Sequence, residues 1–254
     1  MAILWSAEID GNRYEVRTAG ASLRLYRNGV HHSQFNPNRP LSGGIWDLLT
    51  ITALYREPAT IDRGLILGFG AGAAGRLLRE LVEPTGIVGI DMDPVHLSIA
   101  DGFFDCGQGC ELIAADAVDW VNQTTSDREH RPTFDWVLDD LYGEVDSIPV
   151  RVGPTSLKWF RNLSKLVADD GMLVVNLVEP DEVKSLPIFH HREMIRRFPH
   201  AVELSMQAYD NRVLALSRKP FVQSELKQRL KGFLQRFPAC RGVQKKYRIK
   251  SIRR

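Results

Sequence analysis

The sequence predicts an α/β protein built on a mostly parallel sheet, with a small β-meander in front of it. Three observations carry this. From about residue 61 to 177, short apolar runs alternate with helix-period segments, and that βα rhythm implies right-handed crossovers and parallel strands. The first run, Leu65-Ile66-Leu67, leads straight into a glycine-rich turn, Gly68-Phe69-Gly70-Ala71-Gly72. Beyond Pro187 the rhythm changes: residues 201–207 and 212–217 flank Tyr209-Asp210-Asn211 and read as an antiparallel hairpin.

Residues 1 to about 36 form the meander. Asp10-Gly11 and Asn28-Gly29 are hairpin-turn signals, and Arg13-Tyr14-Glu15-Val16-Arg17 alternates polar with apolar. A ribbon of this size needs something to pack on, either the main domain or a second subunit, which leaves a homodimer open. Asn36-Pro37-Asn38-Arg39-Pro40 is a stiff connector, and residues 45–54 have helical spacing. A strand over 64–67, a helix over 73–82 and a strand over 87–90 come next. Asp93 caps a helix that starts at Pro94. A strand over 110–114, a helix from Ala117, a strand over 136–138, a helix over 155–167 and a strand over 172–177 complete the repeat. A helical stretch over 181–198, broken at Pro187, precedes the hairpin, and a helix over 224–234 precedes the end of the chain. The expectation is seven strands in a Rossmann-like sheet, divided as 1–58, 59–220 and 221–254.

Composition is that of an ordinary globular chain, 44% hydrophobic and 25% charged, with a net charge of +2. The balance is too even to imply a polyanionic partner. From Arg241 onward, however, come Lys245, Lys246, Arg248, Lys250, Arg253 and Arg254 with no acid. Such a tail is able to steer nucleic acid, but without interleaved aromatics beyond Tyr247 the expectation is a disordered solubilising end. Three cysteines are too few for a disulfide framework, so Cys106 and Cys110 read as reduced thiols and no metal site is expected. His190-His191 reads as a solvated face. Met1-Ala2-Ile3-Leu4-Trp5 has no basic leader, and no apolar run reaches the ~20 residues of a membrane span. A cytoplasmic chain with no membrane contact is the expectation.

The chemistry concentrates at strand ends. Gly68, Gly70 and Gly72 let a ligand approach the backbone at a helix N-terminus. Asp91 ends the second strand, where a carboxylate accepts from ribose hydroxyls. Asp116, followed by Ala117, ends the third and is placed to accept from an adenine amine. The glycines alone fit two patterns, Gly70-x-Gly72-x-x-Gly75 for a dinucleotide and Gly68-x-Gly70-x-Gly72 for S-adenosylmethionine. Asp91, Asp116 and the terminal hairpin favour the adenosyl sulfonium. At the fourth strand's end, Asp139 and Asp140 are candidates to orient an amine acceptor and take its proton. Adjacent residues diverge along a strand, so one of the two has a different task. Tyr142, Glu144 and Asp146 follow on a loop beside them.

In this order the motifs resemble those of the spermidine synthase family of aminopropyltransferases, which share the class I methyltransferase fold. The likeness covers roughly residues 23–217. Asn28-Gly29-Val30 resembles that family's L-x-L-D-G turn, Gly68 to Ala73 stands in place of GGGDGG, and Asp91-Met92-Asp93 matches E-I-D. Asp116-Ala117 is similar to its adenine-side D-A. Phe134-Asp135-Trp136-Val137-Leu138-Asp139-Asp140 resembles F-D-V-I-I-x-D, whose last Asp is catalytic there, which assigns that role to Asp140. Gly153-Pro154 with Leu157 and Phe160 looks like G-P-A-x-x-L-F. The departures fall in the amine half. Ala71 replaces the Asp of GGGDGG, Trp46-Asp47-Leu48 replaces Y-H-E, and His32 replaces a glutamine. The resemblance implies a transferase acting on polyamine-like acceptors with decarboxylated S-adenosylmethionine. Loss of the acid at Ala71 shifts weight towards S-adenosylmethionine itself. A non-catalytic nucleoside-binding or assembly protein, and an NAD-dependent oxidoreductase, are the alternatives.

Overall fold

The computed structural model describes residues 1–145, 148–178 and 180–252. Four antiparallel strands open the chain: β1 (Ala2–Ile9), β2 (Asn12–Ala19), β3 (Ser22–Arg27) and β4 (Val30–Phe35), in the order β1-β2-β3-β4. Asp10 and Gly11, and likewise Asn28 and Gly29, both have positive φ, the geometry that matches the twist of a two-residue hairpin.

The main sheet has the order β14-β12-β13-β11-β8-β5-β6-β7. Strands β5 (Arg63–Leu67), β6 (Gly86–Asp91), β7 (Cys110–Ala114), β8 (Phe134–Asp139) and β11 (Val167–Leu177) are parallel neighbours. β12 (His200–Met206) and β13 (Tyr209–Ser217) form the expected hairpin, with β13 antiparallel to β11. The helices between them are α1 (Ile45–Thr50), α2 (Ala73–Val82), α3 (Pro94–Gly102), α4 (Ala117–Ser126), α5 (Leu157–Leu166), α6 (Pro180–Ser185), α7 (Arg192–Arg197) and α8 (Gln223–Arg236). Successive strand residues alternate between two cores. Leu65 and Leu67 face one layer with α4 and α5, while Ile66 faces the other with α2 and α8. Val16, Leu25 and Phe35 of the meander join that second core, so the ribbon packs on the domain it precedes.

Two elements depart from expectation. The basic end of the chain is ordered: β14 (Tyr247–Ile252) pairs antiparallel with β12 and adds an eighth strand. Tyr247 and Ile249 alternate with exposed Arg248 and Lys250, a two-residue period that the charge count masked. Tyr247 Oη also donates to Asp47 Oδ2 at 2.7 Å, tying the strand to α1. The loop after β8 is likewise a hairpin, β9 (Tyr142–Val145) with β10 (Ile148–Arg151). Asp146, named above as a loop candidate, lies outside the described residues. No helix is long and apolar enough to cross a membrane among the described residues.

Candidate active site

Strand order reverses at β5, between β6 on one side and β8 on the other, and open α/β sheets bind ligands at the carboxyl ends beside such a switch. A cavity of about 690 Å³ lies there, within the roughly 300–1,000 Å³ usual for small-molecule sites. Gly68, Gly70 and Asp91 line one end, and Asp140 lines it further along. The meander supplies the facing wall through Arg27, His31 and His32.

The glycine turn is built as the sequence implies but serves differently. Gly68, Gly70 and Gly72 all have positive φ, at +85°, +55° and +83°. A Cβ at Gly68 would overlap the Asp140 carbonyl oxygen, so the turn and the end of β8 touch. Every backbone amide of the turn is already engaged. Gly68 N and Phe69 N donate to Ile90 O at 2.9 and 3.0 Å, and Gly72 N donates to Phe69 O at 3.0 Å. Gly70 N donates to Asp91 Oδ2 at 2.7 Å and Ala71 N to Ser33 Oγ at 2.9 Å. The expectation that these amides face a ligand is thereby corrected: β4 and the neighbouring strand take them up. Ala71 itself is fully buried and does not line the cavity.

Asp91 stands at the tip of β6. Its Oδ1 accepts from Asp93 N at 2.9 Å and its Oδ2 from Gly70 N, which leaves lone pairs on both oxygens for a diol. Burial works to raise this carboxyl, but the His96 ring and the two amides outweigh it and hold it below the ordinary range. His96, on the first turn of α3, lies 3.6 Å from Asp91 Oδ1 through Nδ1 and 3.6 Å from Asp93 Oδ2 through Nε2. Asp93 is the N-cap of α3, accepting from Val95 N at 2.9 Å, and its other oxygen accepts from Tyr14 Oη at 2.8 Å. Met92, between the two acids, is 74% exposed on the cavity wall, an apolar surface beside the ribose-type acid.

Asp116 and Ala117 are not brought into this cavity. Asp116 caps α4, with Oδ1 accepting from Val118 N at 2.7 Å and Asp119 N at 3.0 Å, and Ala117 is buried as the first helical residue. They remain near by, since Ala114 pairs with Asp91 across β6 and β7.

The two acids of β8 diverge. Asp139 is fully buried and its Oδ2 accepts from Arg151 Nη2 at 2.7 Å and Trp159 Nε1 at 2.8 Å. That is a closed internal ion pair that does not open on the cavity, a position at odds with a catalytic assignment for Asp139. Asp140 turns the other way, into the cavity, and Asn176 Nδ2 donates to its Oδ1 at 2.8 Å. Burial pushes its carboxyl up to about 6, against the pull of Asn176 and Arg151 and with help from Asp139 and Asp91.

Sequence reasoning missed His96, Asn176, Asn211 and Ser33. His96 was the most accessible of these, three residues after the cap Asp93 and therefore on the same helix face. Asn176 follows Val175, the register partner of Asp139, so topology alone seats it beside Asp140. His31 and His32 are both held neutral near pH 7, pushed down to about 4 mainly by burial. Cys106, Cys110 and Cys240 are free thiols, and among the described residues no three His, Cys, Asp or Glu side chains converge as metal ligands.

No protein-family model matches the sequence, and no curated protein matches it either. Solved structures do. A probable spermidine synthase from Corynebacterium glutamicum superposes with a TM-score of 0.70 at 17% identity, over 98% of this chain and 90% of that one. Human methyltransferase-like protein 13, in complex with SAH, gives 0.60 at 18% identity over 77% and 92%. A spermidine synthase in complex with the transition-state analogue AdoDATO gives 0.58 at 11% identity over 91% and 78%. The fold is the class I methyltransferase fold in its spermidine synthase-like form.

Proposed function

We propose that the protein is a transferase that moves an alkyl group, methyl or aminopropyl, from an S-adenosyl sulfonium donor to a small amine-bearing acceptor. One observation carries the reading. A single cavity is lined by both Asp91 and Asp140, the latter's carboxyl pushed up to about 6 by burial, beside a turn with no free amides. A dinucleotide needs a cradle of N–H groups for its pyrophosphate, and every amide from Gly68 to Gly72 is engaged inside the protein. A nucleoside without phosphates needs only the diol acceptor that Asp91 provides. Within the turn itself the NAD-dependent alternative finds no free amide.

When bound, the donor supplies an electrophilic carbon on a cationic sulfur. Asp91 holds the ribose hydroxyls, and His96 steadies the carboxylate that does so. Asp140, fixed by Asn176, orients the acceptor nitrogen and takes the proton it releases. A carboxyl near 6 is ionised at neutral pH yet still basic enough for that transfer. Met92 covers an apolar face, and β3 and β4 close the wall from the meander side. The donor is S-adenosylmethionine or its decarboxylated form.

Calorimetric titration with S-adenosylmethionine, its decarboxylated form and NAD tests the reading. Binding of either sulfonium, weakened by Asp91→Asn, with no binding of NAD is the expected result. Binding of NAD in preference, or of none of the three, overturns it.

A further inference from the structure

We infer that the groove between α8 and β14 is a second binding site, for a small organic anion with an apolar body such as a medium-chain carboxylate. The groove is a cavity of about 760 Å³, within the range of small-molecule sites. It shares no described lining residue with the cavity that Asp91 and Asp140 line, so it stands apart from the transferase reading. Two periods in the sequence build its floor. On α8, Leu226, Leu230 and Leu234 recur every fourth residue as one buried stripe. On β14, Tyr247 and Ile249 alternate onto the face that packs with that stripe. Tyr247 Oη is tied to Asp47, so this residue offers the groove its ring. The lining runs along α8 from Gln223 to Gln235, about 18 Å at the helical rise, which accommodates an extended chain.

The rim is cationic. Lys227 and Lys231 each follow a floor leucine by one position and stand one turn apart, and Arg241 adds a third positive group. All three are exposed. On the same helix the basic groups that do not line the groove are matched with acids. Arg229 pairs with Glu57 and Glu225, both at 3.1 Å, and Arg236 pairs with Glu83 at 3.2 Å and Glu80 at 3.8 Å. Lys227, Lys231 and Arg241 have no ion pair among the described residues, and the sequence has no Asp or Glu after Glu225. Two lysines at this spacing repel each other, and an anion between them relieves the repulsion. A carboxylate there gains charge-assisted hydrogen bonds while its hydrocarbon body covers the floor. A cationic amphiphile covers the floor but meets the repulsion. A nucleic acid meets the charge but leaves the leucines bare, with Tyr247 the one aromatic ring among the described lining residues to stack on.

The test is calorimetric titration of decanoate and of decylamine into the full chain, both below their micelle concentrations. Decanoate is expected to bind at least tenfold more tightly. The double variant Lys227→Gln with Lys231→Gln changes exposed side chains only and is expected to weaken decanoate by tenfold or more. Lys245→Gln with Lys250→Gln removes the same charge outside the groove and is expected to leave decanoate binding within twofold. No binding of decanoate by the unmodified protein overturns the inference, as does equal or tighter binding of decylamine. An equal loss in the two double variants also overturns it, because net charge and not the groove is then at work. Binding of a single-stranded oligouridylate more tightly than decanoate, lost on changing Lys227 and Lys231, makes this face a nucleic-acid surface and overturns it as well.

Discussion

Replacing Asp140 by asparagine separates what this carboxyl does for the reaction from what it costs the fold. In the native chain its pKa stands at about 6 against an ordinary 3.8, chiefly because burial penalises the charge. The native state therefore holds the proton longer than the unfolded one. The stability this confers is whole below about pH 4 and is lost as pH rises from there through about 6. Integrated over that window, the ionised carboxylate costs about 1 kcal/mol at pH 4.5 and about 3 kcal/mol at pH 7.5, relative to the protonated group. Asp140 keeps some exposed surface on the cavity, and water there trims the larger figure to about 1–2 kcal/mol. Asp140→Asn cannot ionise, and its amide oxygen still accepts from Asn176. The variant is expected to be more stable than the parent by about 1–2 kcal/mol at pH 7.5 and by about 0.5 kcal/mol at pH 4.5. Urea unfolding at the two pH values measures this, and the melting temperature should rise by roughly 2–4 °C per kcal/mol. Transfer activity should fall by roughly 10²–10⁴, the span of a lost general base, and the parent's rate should have an acid limb near pH 6. A stability difference that is the same at both pH values, or a variant less stable at pH 7.5, would refute the burial argument.

Asp139→Asn should behave oppositely, losing about 3 kcal/mol or more in urea unfolding because buried Arg151 is left without its counter-charge. Asp91→Asn should weaken S-adenosylhomocysteine binding by roughly tenfold or more in calorimetry. It should also lower the melting temperature, since one of the Gly70 and Asp93 amides then faces an NH₂ group instead of an oxygen. Ser33→Ala strands the buried Ala71 amide, and a loss of about 1–3 kcal/mol is expected by chemical denaturation. Gly68→Ala combines a positive φ with an overlap on the Asp140 carbonyl, so a drop in soluble yield and melting temperature is expected.

What the sequence made legible was local. The βα rhythm, the cap at Asp93, and the turns at Asp10-Gly11 and Asn28-Gly29 depend on neighbours along the chain and stand where expected, although β11 begins five residues earlier than the strand read from the sequence and Asp116 proves to be a cap. What escaped it was non-local. Whether Asp139 or Asp140 opens on the cavity depends on Arg151 and Trp159, which lie 12 and 20 residues away. That the glycine turn has no free amide depends on Ser33, 38 residues before Ala71. The tail was misjudged for a related reason: seven basic groups outweighed the alternation of Tyr247 and Ile249, which acquires meaning only once β12 offers an edge.

The closed glycine turn bears on selectivity as well as on identity. Binding at this site relies on carboxylates where a phosphate site would rely on N–H groups, and the two preferences are opposed in sign. Asp91, Asp93 and Asp140 face the cavity with Arg27 as the one guanidinium among its described lining residues, and Arg27 Nε lies 3.8 Å from Asp93 Oδ2. His31 and His32, which would offset this field if protonated, are held neutral by their burial. Such a field disfavours anionic nucleotides and favours a cationic sulfonium together with a cationic or nascent amine. On the proposed reaction it also aids turnover, because loss of the alkyl group converts the sulfonium to a neutral thioether and removes one of the attractions that held the donor. The meander takes part directly: Ser33 closes the turn, and Tyr14 and Arg27 engage Asp93, so the ribbon helps to set the charge and access of the nucleoside end.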